Sequence, residues 1–235
     1  MILKKLLSGT VNGILGGICI ALGGGVFLAC DNKYVGAALF CVALLTICWL
    51  GFGLYTGKIG TIVEKHDKDN VIVIITALVG NYISTLLFGL MLSPVFAAMK
   101  EKAAEICAAK LEQPWYGTLI RGIMCGILMY IAVTVYAKKK TPLGILFCIP
   151  VFILSGFEHS IADMFYFAIG GVFGAKYALF IVLVVLGNSI GGVLLPLLEK
   201  PGIAANRIKA TDNVERPKRS ACIAPTAENL FHTYF

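Results

Sequence analysis

The sequence predicts an all-α membrane protein: six transmembrane helices forming two inverted three-helix repeats, with the second and fifth helices broken. Three observations predict it. The 235 residues are 58% hydrophobic and only 14% charged, with a mean hydropathy of +0.86; a soluble domain would carry about 25% charged residues. Six segments have the roughly 20 mostly apolar residues needed to cross a bilayer. The chain also resembles itself at an offset of about 105 residues.

The expected spans are about 11–30, 35–57, 71–93, 115–137, 143–170 and 177–199. Met1 to Lys5 precede an apolar run, but no small-residue cleavage site follows, so this run is the first membrane helix rather than a signal peptide. The second span is interrupted by Gly51-Phe52-Gly53-Leu54-Tyr55-Thr56-Gly57, and the fifth by Gly156. Residues 93–114 read as a short surface helix with alternating, solvated charges at Lys100, Glu101, Lys102, Glu105, Lys110 and Glu112. A membrane channel domain over 1–200 is expected, followed by a polar cytoplasmic tail over 201–235 that begins at Pro201-Gly202.

Charge gives the expected orientation. Lys4, Lys5, Lys58, Lys65, Lys68, Lys138, Lys139, Lys140, Lys200, Arg207, Lys209, Arg216, Lys218 and Arg219 fall on one side, 14 of the 20 basic residues. Lys33, Lys100, Lys102, Lys110, Arg121 and Lys176 fall on the other. Positive charge stays in the cytoplasm, so both termini are expected there, in the plasma membrane. The net charge of +7 reflects these loops, not a nucleic-acid partner. The eight cysteines form no C-x-x-C, and Cys19, Cys41, Cys48, Cys125 and Cys148 lie in apolar runs as small hydrophobes. No cofactor or metal site is expected, because the spans hold a single histidine.

The repeat matches Gly17-Ile18 with Gly122-Ile123, Gly51-Phe52 with Gly156-Phe157, and Leu78-Val79-Gly80-Asn81 with Val185-Leu186-Gly187-Asn188. Three spans per half force the second half to enter the membrane upside down. Such repeats build transport proteins whose site lies near the midplane between broken helices. In the fifth span stand Glu158, His159 and Asp163, between charge-free stretches. Ionisable side chains at membrane depth are expensive and mark function. The repeat brings Leu54 and Thr56 near the counterpart of His159, so a Thr56–His159 pair is expected. Half-helix N-termini there would offer N–H groups and positive dipole ends to an anion.

These residues resemble the formate/nitrite transporter family. The resemblance rests on Gly156-Phe157-Glu158-His159-Ser160-Ile161-Ala162-Asp163-Met164, on Leu54-Tyr55-Thr56-Gly57, on Arg121-Gly122-Ile123-Met124-Cys125, and on Gly80-Asn81 and Gly187-Asn188-Ser189-Ile190-Gly191-Gly192. It covers roughly residues 5–200. It implies a homopentamer with an aquaporin-like pore through each protomer, and small monovalent weak-acid anions such as formate, nitrite and hydrosulfide as permeants. It places the central histidine at His159, its threonine at Thr56, and apolar constrictions at Phe40, Leu44, Leu54 and Phe152. Tyr55 falls in the second-span loop motif. The chain departs from the family at Asp163 and Gly126, where Asn is usual, and at Lys58, where a neutral residue is common. It looks most like the hydrosulfide-channel branch.

Residue by residue, His159 is the expected mid-pore donor, while His66 and His232 are solvated. Glu158 faces away from His159 and is expected to anchor the broken loop or a subunit contact rather than meet the anion. Asp163 either orients the His159 ring or turns to a neighbouring helix. Arg121 is expected to snorkel or form an ion pair toward the outer surface, and Asn81 and Asn188 to bond backbone freed at the breaks. An apolar constriction disfavours a bare ion, so a weak-acid anion is expected to cross with a proton, His159 supplying a hydrogen bond or the proton. An aquaporin-like neutral-solute channel is the alternative, though Asn81-Tyr82 and Asn188-Ser189 are not the Asn-Pro-Ala of that class. A membrane enzyme would need a converging set of ionisable groups that one histidine cannot supply.

Overall fold

Every backbone polar group in hydrocarbon must be satisfied within the chain, which makes helices the only open-ended spanning element. The computed structural model describes residues 2–214, with side chains through Lys200, and is helical throughout its span-length segments. Helix α1 runs Ile2–Ala29, α2 Lys33–Leu39 and α3 Cys41–Leu50; α4, Tyr55–Lys58, passes into a 3-10 turn at Ile59–Val63. Helix α5 runs Lys68–Leu92, α6 Ala97–Leu111, α7 Trp115–Lys139, α8 Leu143–Leu154, α9 Ser160–Gly170 and α10 Ala175–Val214.

Local chemistry sets these ends. Asn32 caps α2 by accepting from the Tyr34 and Val35 amides at 2.9 and 3.3 Å, and Asp67 caps α5 by accepting from the Asn70 amide at 2.8 Å. Pro114 precedes α7 and Pro142 precedes α8. The two breaks are alike. Gly51 ends α3 at φ +72° and Gly156 follows α8 at φ +66°, a region where a Cβ is strained. Each break then extends into a new helix, α4 or α9.

The first half is α1, the broken α2–α3–α4 segment and α5; the second is α7, the broken α8–α9 segment and α10. Helix α1 packs along α5, α5 against α9, α7 against α8 and α6 against α9. Buried apolar residues from both halves form one core, while Leu22, Trp49, Leu87, Phe147 and Leu198 face outward. Outward apolar faces of this extent suit lipid or neighbouring protomers. Lys4, Lys5 and Lys58 lie at one end of the bundle, the N-terminal end; α6 and Arg121 mark the other.

Three expectations are revised. Helix α1 begins at Ile2 rather than near residue 11, because Lys4, Lys5 and Leu6 are good helix formers that extend it N-terminally. Helix α6 is not wholly solvated: Ala103 and Cys107 are fully buried, and Lys102 donates to the Leu28 and Cys30 carbonyls at the end of α1 at 3.1 and 2.6 Å. Residues Met1–Leu198 form one compact unit, and α10 continues past it to Val214. Of the expected tail, residues 215–235 lie outside the described residues.

The third revision concerns the repeat. The Gly53 amide donates to the Asn12 carbonyl at 3.0 Å, and the Glu158 amide to the Arg121 carbonyl at 3.3 Å. The broken spans therefore match at the expected offset of 105, but α1 and α7 match from position 12 to position 121, an offset of 109. Gly13, not Gly17, is the partner of Gly122. A slip of one helical turn of about 3.6 residues leaves the same face forward, so the residue pattern alone does not register it.

Candidate functional site

The site grows from the two breaks. His159 is the N-cap of α9, at φ −110° and ψ 109°, and Leu54 is the N-cap of α4, at φ −116° and ψ 121°. The backbone turns inward at both, in opposite senses. Next in the chain after Leu54 and Tyr55, Thr56 faces the ring: its hydroxyl lies 2.8 Å from Nε2 of His159. Both residues are at most 2% exposed. This is the proximity expected from the repeat.

The ring's tautomer follows from its partners. Nδ1 of His159 accepts from the Ala162 amide at 3.1 Å. A nitrogen that accepts carries no hydrogen, so in the neutral ring the hydrogen is assigned to Nε2. Nε2–H then donates to Thr56 Oγ1, and the Thr56 hydroxyl hydrogen is left to donate elsewhere.

Apolar side chains close in around this pair. Phe152 lies 5.7 Å from the His159 ring, and Phe40 meets Phe152 edge-to-face at 6.1 Å. Phe40, Leu44, Leu54 and Phe152 are all buried. On the α6 side a cavity of about 280 Å³ is lined by Lys110, Arg121, Phe152, Glu158, His159 and Asp163. On the other side a cavity of about 360 Å³ is lined by Leu44, Phe52, Leu54, Lys58, Tyr136 and Lys140. The cluster of Phe40, Leu44, Leu54, Thr56, Phe152 and His159 stands between the two. A larger cavity of about 930 Å³, lined by Lys4, Lys5, Asn12, Gly53 and Asp69 among others, reaches neither Thr56 nor His159.

Asn81 and Asn188 bond backbone at the breaks, as expected, and Tyr55 turns to another helix. Asn81 accepts from the Tyr55 amide at 2.9 Å and donates to the Gly13 and Gly53 carbonyls at 2.7 and 2.8 Å. Asn188 repeats this in the other half, accepting from the Ser160 amide at 2.9 Å and donating to the Gly122 and Glu158 carbonyls at 2.9 and 2.8 Å. Each amide thus uses both donors and its acceptor to tie a break to its neighbouring helix. Tyr55 turns to α10, its hydroxyl 2.6 Å from Ser189 Oγ. The first amides of α4 and α9 are therefore partly occupied by Asn81, Asn188 and His159 Nδ1, rather than held free for an anion as expected.

The charged residues sort themselves by geometry. Arg121 donates from Nη1 to the Gly156 carbonyl at 2.9 Å, tying the fifth-span break to α7. Its counterpart Asn12 reaches the Gly51 carbonyl at 3.5 Å. Glu158 accepts from Gln113 at 2.9 Å and from Lys110. Asp163 turns to α6 rather than to the His159 ring, with Oδ1 3.0 Å from Lys110 Nζ. Sequence reasoning missed Lys110 and Gln113 as partners; Glu158 and Asp163, unpaired on their own span, were the signal that a cation must reach them. A Cβ on Gly126 would meet the Asn188 carbonyl oxygen at 2.4 Å, so the side chain usual in the family has no room here.

A bundle of inverted halves, with a cavity on either side of a buried polar pair inside an apolar waist, defines a multi-pass membrane transport protein rather than an enzyme. The model of the formate/nitrite transporter family matches residues 3–199, and the chain belongs to that family. It is 26% identical to a formate channel of Haemophilus influenzae over 81% of this chain and 84% of that one. It is also 26% identical to formate-nitrite transporter 2 of Toxoplasma gondii over 70% of this chain, spanning 40% of that protein's length. Among solved structures it is similar to a pentameric formate channel with formate bound, with a TM-score of 0.66 and 21% identity over 86% of this chain and 98% of that one. A second similar structure, an ion channel of the same family, gives a TM-score of 0.66 at 22% identity over 82% of this chain and 87% of that one.

Proposed function

We propose that the protein conducts small monovalent weak-acid anions, hydrosulfide, formate or nitrite, through a pore in each protomer of a homopentamer in the plasma membrane. The observation that carries this reading is the Thr56–His159 pair, held at 2.8 Å between two cavities that open to opposite ends of the bundle. Phe40, Leu44, Leu54 and Phe152 are the constrictions in this reading. Asn81 and Asn188 hold the breaks in place, and Tyr55 braces α4 against α10. Both termini face the cytoplasm, which puts the α6 end outside.

Chemistry supports a weak acid as the permeant. An ion in the apolar waist loses its hydration, at a cost of several kcal/mol or more. Low dielectric also favours the neutral form of an acid. An anion that takes a proton avoids that cost; chloride does not. His159 Nε2–H donates to Thr56, so Thr56 can pass a hydrogen bond to the permeant while the ring stays neutral. Lys58 and Lys140, in the cavity at the N-terminal end, attract anions to that mouth.

Reconstituted into liposomes, the protein should pass formate, nitrite and hydrosulfide faster as external pH falls, with little chloride flux at any pH. Chloride flux equal to that of the weak acids, with no pH dependence, would overturn this reading.

A further inference from the structure

Two buried carboxylates share one ammonium at the α6 end. Lys110 Nζ contacts both Glu158 Oε2 and Asp163 Oδ1. The Glu158 and Asp163 side chains are 2% exposed and the Lys110 side chain 14%. Gln113 donates to the second oxygen of Glu158, whereas Asp163 Oδ2 is buried with no hydrogen-bond partner among the described residues. Ser160 Oγ, three positions earlier on the same helix, is likewise buried and unpartnered. Residues three apart lie on one face of a helix.

Counting charge exposes the conflict. With both carboxylates ionised, Lys110 leaves one negative charge uncompensated in a dry site, and a bare oxygen beside it. Two like-charged carboxylates sharing one cation repel each other, and a proton on one of them relieves that repulsion. A proton on Asp163 removes the surplus charge and turns the orphan oxygen from a bare acceptor into a donor.

We propose that Glu158, Asp163 and Lys110 bind one exchangeable proton at the α6 end, and that Asp163 delivers it to a weak-acid anion in the adjoining cavity. That cavity is lined by Lys110, Glu158, His159 and Asp163 together, so an anion inside it meets the site. The step balances: the Asp163 O–H bond breaks, the anion gains the proton and becomes the neutral acid, and the Asp163 carboxylate stays paired with Lys110. Water on that side then returns a proton to Asp163. The titratable groups facing Asp163 are Lys110 and Cys107 of α6, Cys125 of α7, Glu158, and Tyr166 of α9 itself. Arg121 of α7 lines the cavity but is turned to the Gly156 carbonyl. The charged residues of α1 and α5, Lys4, Lys5, Lys68 and Asp69, and Lys58 of α4, sit at or near the N-terminal end of the bundle.

Delivery to the permeant rests on the weak-acid reading above; the proton site itself does not. Infrared spectroscopy of the purified full-length protein should show the carbonyl stretch of a buried protonated carboxyl at neutral pH. Asp163→Asn keeps a partner for Lys110 and should abolish that band; Asp163→Glu should retain one. In liposomes Asp163→Asn should flatten the pH profile of formate uptake from the α6 side and slow uptake at least about tenfold where a proton donor helps most. A band with no weak-acid flux in the wild type would sink the weak-acid reading and leave the proton site standing. Absence of the band, its survival in Asp163→Asn, or an unchanged pH profile in that variant would overturn the proposal.

Discussion

Leu54 and His159 occupy the same backbone position in the two halves, each the N-cap of a helix that restarts after a glycine-bent break. The repeat thus offers two equivalent inward positions, and only one carries an imidazole. Its polar partner, Thr56, comes from the other half, two residues past the equivalent point.

That pairing makes Thr56 separable from His159. Thr56→Val preserves shape but leaves Nε2–H of His159 buried and unpartnered, which costs about 1–3 kcal/mol. We expect a folded protein with a lower melting temperature and formate flux reduced by roughly tenfold, since about 1.4 kcal/mol is a factor of ten. Thr56→Ser should restore most of both. His159→Phe should fold yet lose most flux, because it removes the donor and the α9 cap together. Wild-type flux in His159→Phe would show that the pair is structural only.

Asn81 and Asn188 should be equally intolerant of change, since each makes three buried hydrogen bonds to backbone at a break. Truncating either to Ala leaves two carbonyls and one amide unsatisfied. Each orphaned group costs about 1–3 kcal/mol. Size-exclusion profiles of Asn81→Ala and Asn188→Ala should show loss of the folded oligomer. A well-folded, monodisperse variant would mean that the breaks hold themselves.

Gly126→Ala tests the close approach of α7 and α10. The added methyl would meet the Asn188 carbonyl oxygen at 2.4 Å and the Gly192 amide nitrogen at 2.9 Å, both backbone. Overpacking of this kind costs about 1–3 kcal/mol, so thermal unfolding should begin at a distinctly lower temperature. An unchanged transition would show that the two helices separate freely.

Orientation is open to labelling in intact cells. A cysteine introduced at Lys100, exposed on α6, should react with an impermeant thiol reagent from outside, and one at Lys4 should not. The reverse pattern would invert the molecule in the membrane and place the Asp163 proton site on the cytoplasmic side.

Much of this architecture was written in local chemistry. Apolar length marks the spans, Gly51 and Gly156 mark the breaks, and the offset of 105 between the broken spans puts Thr56 beside His159. Those features depend on residues near one another in sequence, or on a symmetry that the sequence carries. The partners of Glu158 and Asp163 do not. Lys110 sits in a stretch whose alternating charges look like any solvated helix, and only the packing of α6 on α9 turns it inward, 48 positions from Glu158. The register of α1 against α7 was likewise invisible, because a slip of one turn leaves the same side chains facing the partner. Hydropathy tells each helix to leave water; it does not say which helix it will meet, and the charge balance at Lys110 and the contact at Gly126 are decided at that meeting.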